Sequence, residues 1–355
     1  MAEKDERRMV DFSALPDYMR DNEYILRHYR AECPLKHTLL SIFTIHNETL
    51  NVWTHLAGFV LFLCLTIYTA TKLPNVADLP VPNKANLYRL QNEIRAWPMY
   101  LPNMAELQAE LRTSLPNWVG NCIPGNFSYS NQTEHCILQT IKEDVTNMVF
   151  PHSQRPITRW PFLVFLGAAT YCLFASATFH LLSCHSKRLY YIMLRLDYSG
   201  IVALIAASFY PPVYYSFMCA PFFRKLYLTA ITLLGIATVF VSLLPAFQNP
   251  EFRTLRATLF SGMGVWGVAP VVHKLILHKG EPEALHTAAY EIGMGCFYVL
   301  GALLYATRIP ERWKPGKFDI AGHSHQLFHI LVIAGAYTHY QAGLLYLKWR
   351  DLKGC

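Results

Sequence analysis

Seven apolar blocks separated by polar connections organise this chain: Trp53–Thr71, Trp160–Leu182, Leu196–Phe217, Leu226–Phe247, Leu255–Leu277, Leu285–Thr307 and His325–Lys348. Each is close to the roughly 20 residues that a helix needs to cross the hydrocarbon of a bilayer. The fourth, LYLTAITLLGIATVFVSLLPAF, carries no charge, whereas the fifth contains Arg256, Pro270, His273 and Lys274 and is the weakest. In lipid the backbone must satisfy its own polar groups, so blocks of this length predict helices. The GMGVWG run and Gly293-Met294-Gly295 suit close helix packing. The expectation is an all-α membrane protein, a seven-transmembrane-helix bundle over 53–348. A segment 1–52 precedes it, a long connection 72–158 interrupts it, and a tail 349–355 follows.

Composition agrees with this pattern. Of 355 residues, 53% are hydrophobic and only 15% charged. The net charge of +7 is dispersed without a basic run, which gives no footing for a nucleic-acid partner. Membrane lipids are the partners that the composition implies. The first apolar block follows about fifty polar residues and reads as a retained anchor rather than a cleaved signal. Segment 15–50 mixes apolar and charged residues and predicts an amphipathic helix lying on the inner face.

Orientation rests on two signals. Lys and Arg near one set of connections number nine against seven on the other, a slight excess that places the N-terminus in the cytoplasm and the C-terminus outside. The 72–158 connection holds two glycan acceptors, Asn126 and Asn131, bracketed by Cys122 and Cys136. Glycans and a short disulfide loop both belong to an oxidising compartment. A third acceptor, Asn47, is then cytoplasmic and unmodified. None of the nine cysteines forms a CxxC pair, which argues against a thiolate metal site.

Polar groups inside membrane spans are costly and mark function by default. The second block ends in SATFHLL, placing Ser176 and His180 four apart; the third begins LRLDYSG with Asp197; the seventh begins HSHQLFH. His325 and His329, also four apart, share one helix face. Four crossings separate the end of the second span from the start of the seventh, so His180, Asp197, His325 and His329 fall in one leaflet. Three imidazoles with an open fourth position match a catalytic zinc site. Asp197 would hold or deprotonate a water there, and Ser176 would orient a ligand, the water or a substrate carbonyl. The competing reading is of packed, hydrogen-bonded polar residues. His55 is the best substitute ligand but reads as a packing or interfacial residue. His323 should face solvent or loop, and His339 and Glu291 are buried hydrogen-bond partners.

The segments LPDYMRDNEYILRHYR, SIFTIHNETLNVWTHLAGFVLF, SATFHLLSCHS, LDYSGI, YATRIPERWKPGKFDI and HSHQLFH resemble the progestin and adipoQ receptor family. Within it they are most similar to the adiponectin receptor-like heptahelical proteins of plants. The resemblance implies seven helices, a cytoplasmic N-terminus, zinc on His180, His325 and His329, and Asp197 beside it. It further implies a membrane receptor or signalling protein acting in plant hormone, sugar or stress responses. An extracellular ligand and a cytoplasmic signalling partner go with that role, and the residues identify neither. The long 72–158 connection departs from the animal receptors, so adiponectin itself does not carry over. Site chemistry suggests a ceramidase-like hydrolase acting on a lipid amide substrate. The rival is a receptor in which zinc only staples spans together.

Overall fold

The structure is a computed structural model that describes residues 9–72, 157–244, 247 and 250–355. Asn126, Asn131, Cys122 and Cys136 lie outside the described residues. Among the described residues there are ten α-helices, in chain order α1 Leu35–Leu40, α2 Thr49–Lys72, α3 Trp160–Leu182, α4 Lys187–Ser208, α5 Tyr210–Ser216, α6 Pro221–Leu243, α7 Arg253–Val265, α8 Val268–Leu277, α9 Pro282–Thr307 and α10 Ser324–Lys353. They make seven membrane-spanning segments, α4–α5 forming the third and α7–α8 the fifth.

The surface is apolar where a soluble protein would be polar. Leu61, Ile67, Phe174, Leu233, Phe240, Ile276, Leu303 and Ile330 point outward, while His180, Asp197, Lys274 and Glu291 are buried. That inversion is what hydrocarbon solvent demands. The protein is a multi-pass membrane protein built as a helix bundle.

Several boundaries depart from the apolar pattern, three of them for a clear local reason. The third span starts at Lys187 because Ser186 caps α4, its hydroxyl accepting from Leu189 N at 3.4 Å. Lys187, Arg188 and Arg195 in this amphipathic stretch hid it from hydropathy, so Asp197 lies well inside the helix. The fourth span stops at Leu243 because Leu244, preceding a proline, is held extended at φ −64°, ψ 132°. The fifth breaks between Val265 and Val268, where Pro270 lacks the N–H that would bond the Trp266 carbonyl.

Segment 15–50 is not one amphipathic helix. With the residues just before it, it folds as 3₁₀ turns at Phe12–Ala14, Asp17–Met19 and Ser41–Phe43, an antiparallel bridge between Val10 and Tyr29, and the short α1. Leu15, Ile25 and Tyr29 form a small core there. Asp21 pairs with Arg253, and Glu23 with Arg308. The Leu26 amide donates to Asp319 Oδ1 at 2.9 Å. The segment is thereby tied to the start of α7, the end of α9 and the loop that leads into α10.

The bundle centre is close-packed. Phe162, Phe165, Leu166, Leu173, Ala336 and Tyr346 are fully buried in one cluster. Gly200 lets α4 approach α3: an added Cβ would lie 2.9 Å from Cys172 Cα. The glycine of the LDYSG motif thus brings Asp197 beside Ser176. At the end opposite the histidines, Cys219 and Cys355 form a disulfide with Cα atoms 5.3 Å apart, a pairing that sequence spacing did not predict.

Candidate metal centre

α10 carries two of the three histidines, and its first turn is fixed by a buried acid. Glu311 accepts from the Ser324 amide at 2.7 Å and from the Ser324 hydroxyl. A carboxylate at a helix N-terminus satisfies a free N–H and complements the helix dipole. Gln326 reaches back, accepting from Gly322 N at 2.6 Å and donating to Ile320 O at 2.9 Å. His325 and His329 then project one turn apart. His180 sits in the last turn of α3, where Arg30 donates to its carbonyl at 2.8 Å and to that of Leu181 at 3.2 Å.

Candidate ligand atoms of His180, His325 and His329 all lie within 4.8 Å of one another. The Nε2 atoms of His180 and His325 are 3.1 Å apart. Two ligand atoms on a tetrahedral ion with 2.0–2.1 Å bonds stand roughly 3.3 Å apart. His180 and His329 are 4% and 1% exposed, which keeps competing water out.

Outer partners set the tautomers. Glu48 Oε2 lies 2.7 Å from His180 Nδ1, and a carboxylate can only accept, so Nδ1 carries the proton and Nε2 the free lone pair. Thr54 gives its hydroxyl proton to Leu50 O at 2.7 Å, so at 3.3 Å it accepts from His329 Nδ1, again freeing Nε2. Burial alone would raise the Glu48 carboxyl, but His180 and hydrogen bonds from His180 and Asn51 hold it well below the usual range. Glu48 is therefore ionised. Three imidazoles beside the two acids Glu48 and Asp197 suit a divalent cation. The donor set fits a metal ion.

The Asp197 carboxyl lies within interaction range of Ser176 and His180. Both acid and serine are buried, at 8% and 2% exposure, and both line a cavity of about 890 Å³ into which the histidines open. His55 stacks on His329 with ring centroids 3.5 Å apart, beside the ligand set rather than in it. His323 does not face solvent: it is 2% exposed and its Nε2 meets Asn47 O at 3.4 Å, because the N-terminal segment covers it. Glu48 was not singled out from the sequence. The signal was there, an acid one residue before a span that begins on the histidine leaflet.

A family model described as Haemolysin-III related matches residues 43–340. The chain belongs to this family of helical membrane proteins, which takes in the progestin and adipoQ receptors. It is 63% identical over 353 residues to heptahelical transmembrane protein 4 of Arabidopsis thaliana, covering 98% of this chain and 90% of that one. Similarity is comparable to heptahelical transmembrane protein ADIPOR3 of Oryza sativa, at 62% with 98% and 92% covered. The adiponectin receptor protein of Drosophila melanogaster is 33% identical, with 94% of this chain and 58% of that protein aligned. The chain is thus an adiponectin receptor-like heptahelical membrane protein.

Proposed function

We propose that this is a signalling membrane protein of adiponectin receptor type whose His180, His325 and His329 hold zinc, and that the centre hydrolyses a lipid amide taken from the bilayer. The observation that carries the reading is the convergence of three imidazoles, two buried and His325 half-buried, on a largely apolar cavity that also presents Asp197 and Ser176. A role in plant hormone, sugar or stress responses is part of this reading; the similar proteins of Arabidopsis and rice support only its plant setting.

The cavity suits a bilayer-derived substrate. Val268 and Ile292 line it and are also 59% and 62% exposed on the outer face of the fifth and sixth spans, so a chain can enter sideways. When bound, zinc supplies Lewis acidity to a carbonyl and acidifies water. The remaining work falls to the chain. Asp197 accepts the proton of the attacking water. As water oxygen adds to the carbonyl carbon and the C–N bond breaks, Asp197 returns that proton to the leaving amine. Ser176 holds Asp197 in place, and the apolar walls exclude bulk water.

The histidine end faces the cytoplasm in this reading. The two glycan acceptors of the 72–158 connection support it. So does the Cys219–Cys355 disulfide, which lies opposite the histidines, at the end of the bundle where α2 ends and α3 begins. A glycosidase-sensitive gel shift abolished by Asn126→Gln with Asn131→Gln checks the orientation.

The chemistry is tested with Asp197→Asn. Zinc content should stay at the wild-type level while ceramide turnover falls by about 10²–10⁴-fold. Wild-type protein that retains zinc but turns over no ceramide of any chain length would leave a non-catalytic metal tying the second span to the seventh.

A further inference from the structure

The cavity has a second polar pole that the proposed hydrolysis does not use. Lys274, on α8, is buried, and its three protons go to Thr287 Oγ1 at 3.1 Å, Glu291 Oε2 at 2.6 Å and Tyr346 OH at 2.7 Å. Glu291 Oε1 accepts from Tyr346 OH at 2.6 Å. The pair is neutral and saturated. His339 stands within electrostatic reach of Lys274 and lines the same cavity. It is 1% exposed, and apart from a loose approach to the Ser208 main chain neither ring nitrogen has a hydrogen-bond partner. An edge contact with Phe165, centroids 4.5 Å apart, fixes the ring.

A neutral imidazole has one donor and one acceptor. A methyl group placed against it leaves both unsatisfied, which is costly in a buried site. A carboxylate would arrive beside an ion pair that has no proton or charge to spare, and an uncompensated anion in a low dielectric is dearer still. A hydroxyl both donates and accepts. Ten residues of α10 separate His329 from His339, roughly 15 Å along the axis. Between His329 and His339 on α10, Val332 lines the wall. We infer that His339, backed by the Lys274–Glu291 pair, is a second polar subsite that takes a hydroxyl group carried about 15 Å from the reactive end of a long-chain amphiphile. The preferred ligand is therefore a lipid polar at both ends, not one ending in methyl. This rests on the reading that the cavity takes a lipid.

The test uses full-length protein in lipid nanodiscs and a tritiated fatty acid as tracer. Pairs of unlabelled fatty acids of equal length compete, one methyl-ended and one with a terminal hydroxyl, over a series of lengths. At the length that spans the two poles, the hydroxyl-ended acid should compete about tenfold better, the effect of one additional buried hydrogen bond. Shorter and longer pairs should show little difference. His339→Phe should bring the best pair to equal affinity, with zinc content as the control on folding. Equal affinity within every wild-type pair overturns the subsite and means that ordered water satisfies His339 instead. If neither acid of any pair binds, the subsite falls together with the lipid reading of the cavity. A missing hydrolytic activity with the hydroxyl gain intact removes only the hydrolase.

Discussion

Removing the acid behind His180 is the sharpest perturbation of the proposed centre. Glu48→Ala deletes the acceptor at 2.7 Å from Nδ1, so the imidazole can turn and take either tautomer. Losing a carboxylate that orients a ligating histidine typically lowers metal affinity 10–100-fold, about 1.4–2.8 kcal/mol. The Glu48 side chain keeps 28% exposure, so solvent screens part of its charge. The expected loss therefore lies near the lower end, about tenfold. Glu48→Gln keeps an acceptor and loses the charge, and a neutral bond is about half as strong as an ionic one, giving roughly threefold. Zinc affinity is read by competition with a chromophoric chelator in detergent. Because metal binding stabilises only the folded state, the zinc-dependent rise in melting temperature should shrink in the same order. Wild-type affinity in Glu48→Ala would refute the assignment of His180 as a ligand oriented by Glu48.

Gly200→Ala puts a methyl 2.9 Å from Cys172 Cα and should cost about 1–3 kcal/mol by forcing α4 off α3, seen as a lower melting temperature. Cys219 and Cys355 should resist alkylation until reduced, and Cys219→Ser should lower stability by about 2–4 kcal/mol; ready alkylation of both without reductant would reject the bond. His46 is buried, and burial with Arg30 nearby pushes it from 6.5 down to about 4. A folded-state pKa below the unfolded one means that protons favour unfolding. Its contribution is intact above about pH 6.5 and is lost as pH falls toward about 4. Thermal unfolding from pH 7.5 to 4.5, wild type against His46→Asn, should show a stability difference that narrows with acid; a constant difference would contradict this.

The spans were legible because lipid demands long apolar helices, and the shared leaflet of His180, Asp197, His325 and His329 followed from counting crossings. What escaped depends on tertiary partners. Lys187–Arg195 is helical yet charged, so hydropathy began the third span late. The N-terminal segment suggested an amphipathic helix, but Pro16 and Pro34 interrupt it and its apolar residues Leu15, Ile25 and Tyr29 meet only by folding back. Glu48 and Glu311 look like ordinary loop acids until His180 and Ser324 are seen against them. Cys219 and Cys355 are 136 residues apart, and no local spacing pairs them. His339 was read as a buried hydrogen-bond partner; it is buried, and the fold adds that it lines a cavity.

Zinc on His180, His325 and His329 is the central claim, and X-ray absorption at the zinc edge on purified protein, with metal content by mass spectrometry, tests it most directly. The account predicts one zinc per chain, nitrogen and oxygen scatterers at about 2.0–2.1 Å, no sulfur, and loss of the metal in His325→Ala. A chain that retains no zinc, or one whose zinc content and spectrum are unchanged in His325→Ala, would contradict it.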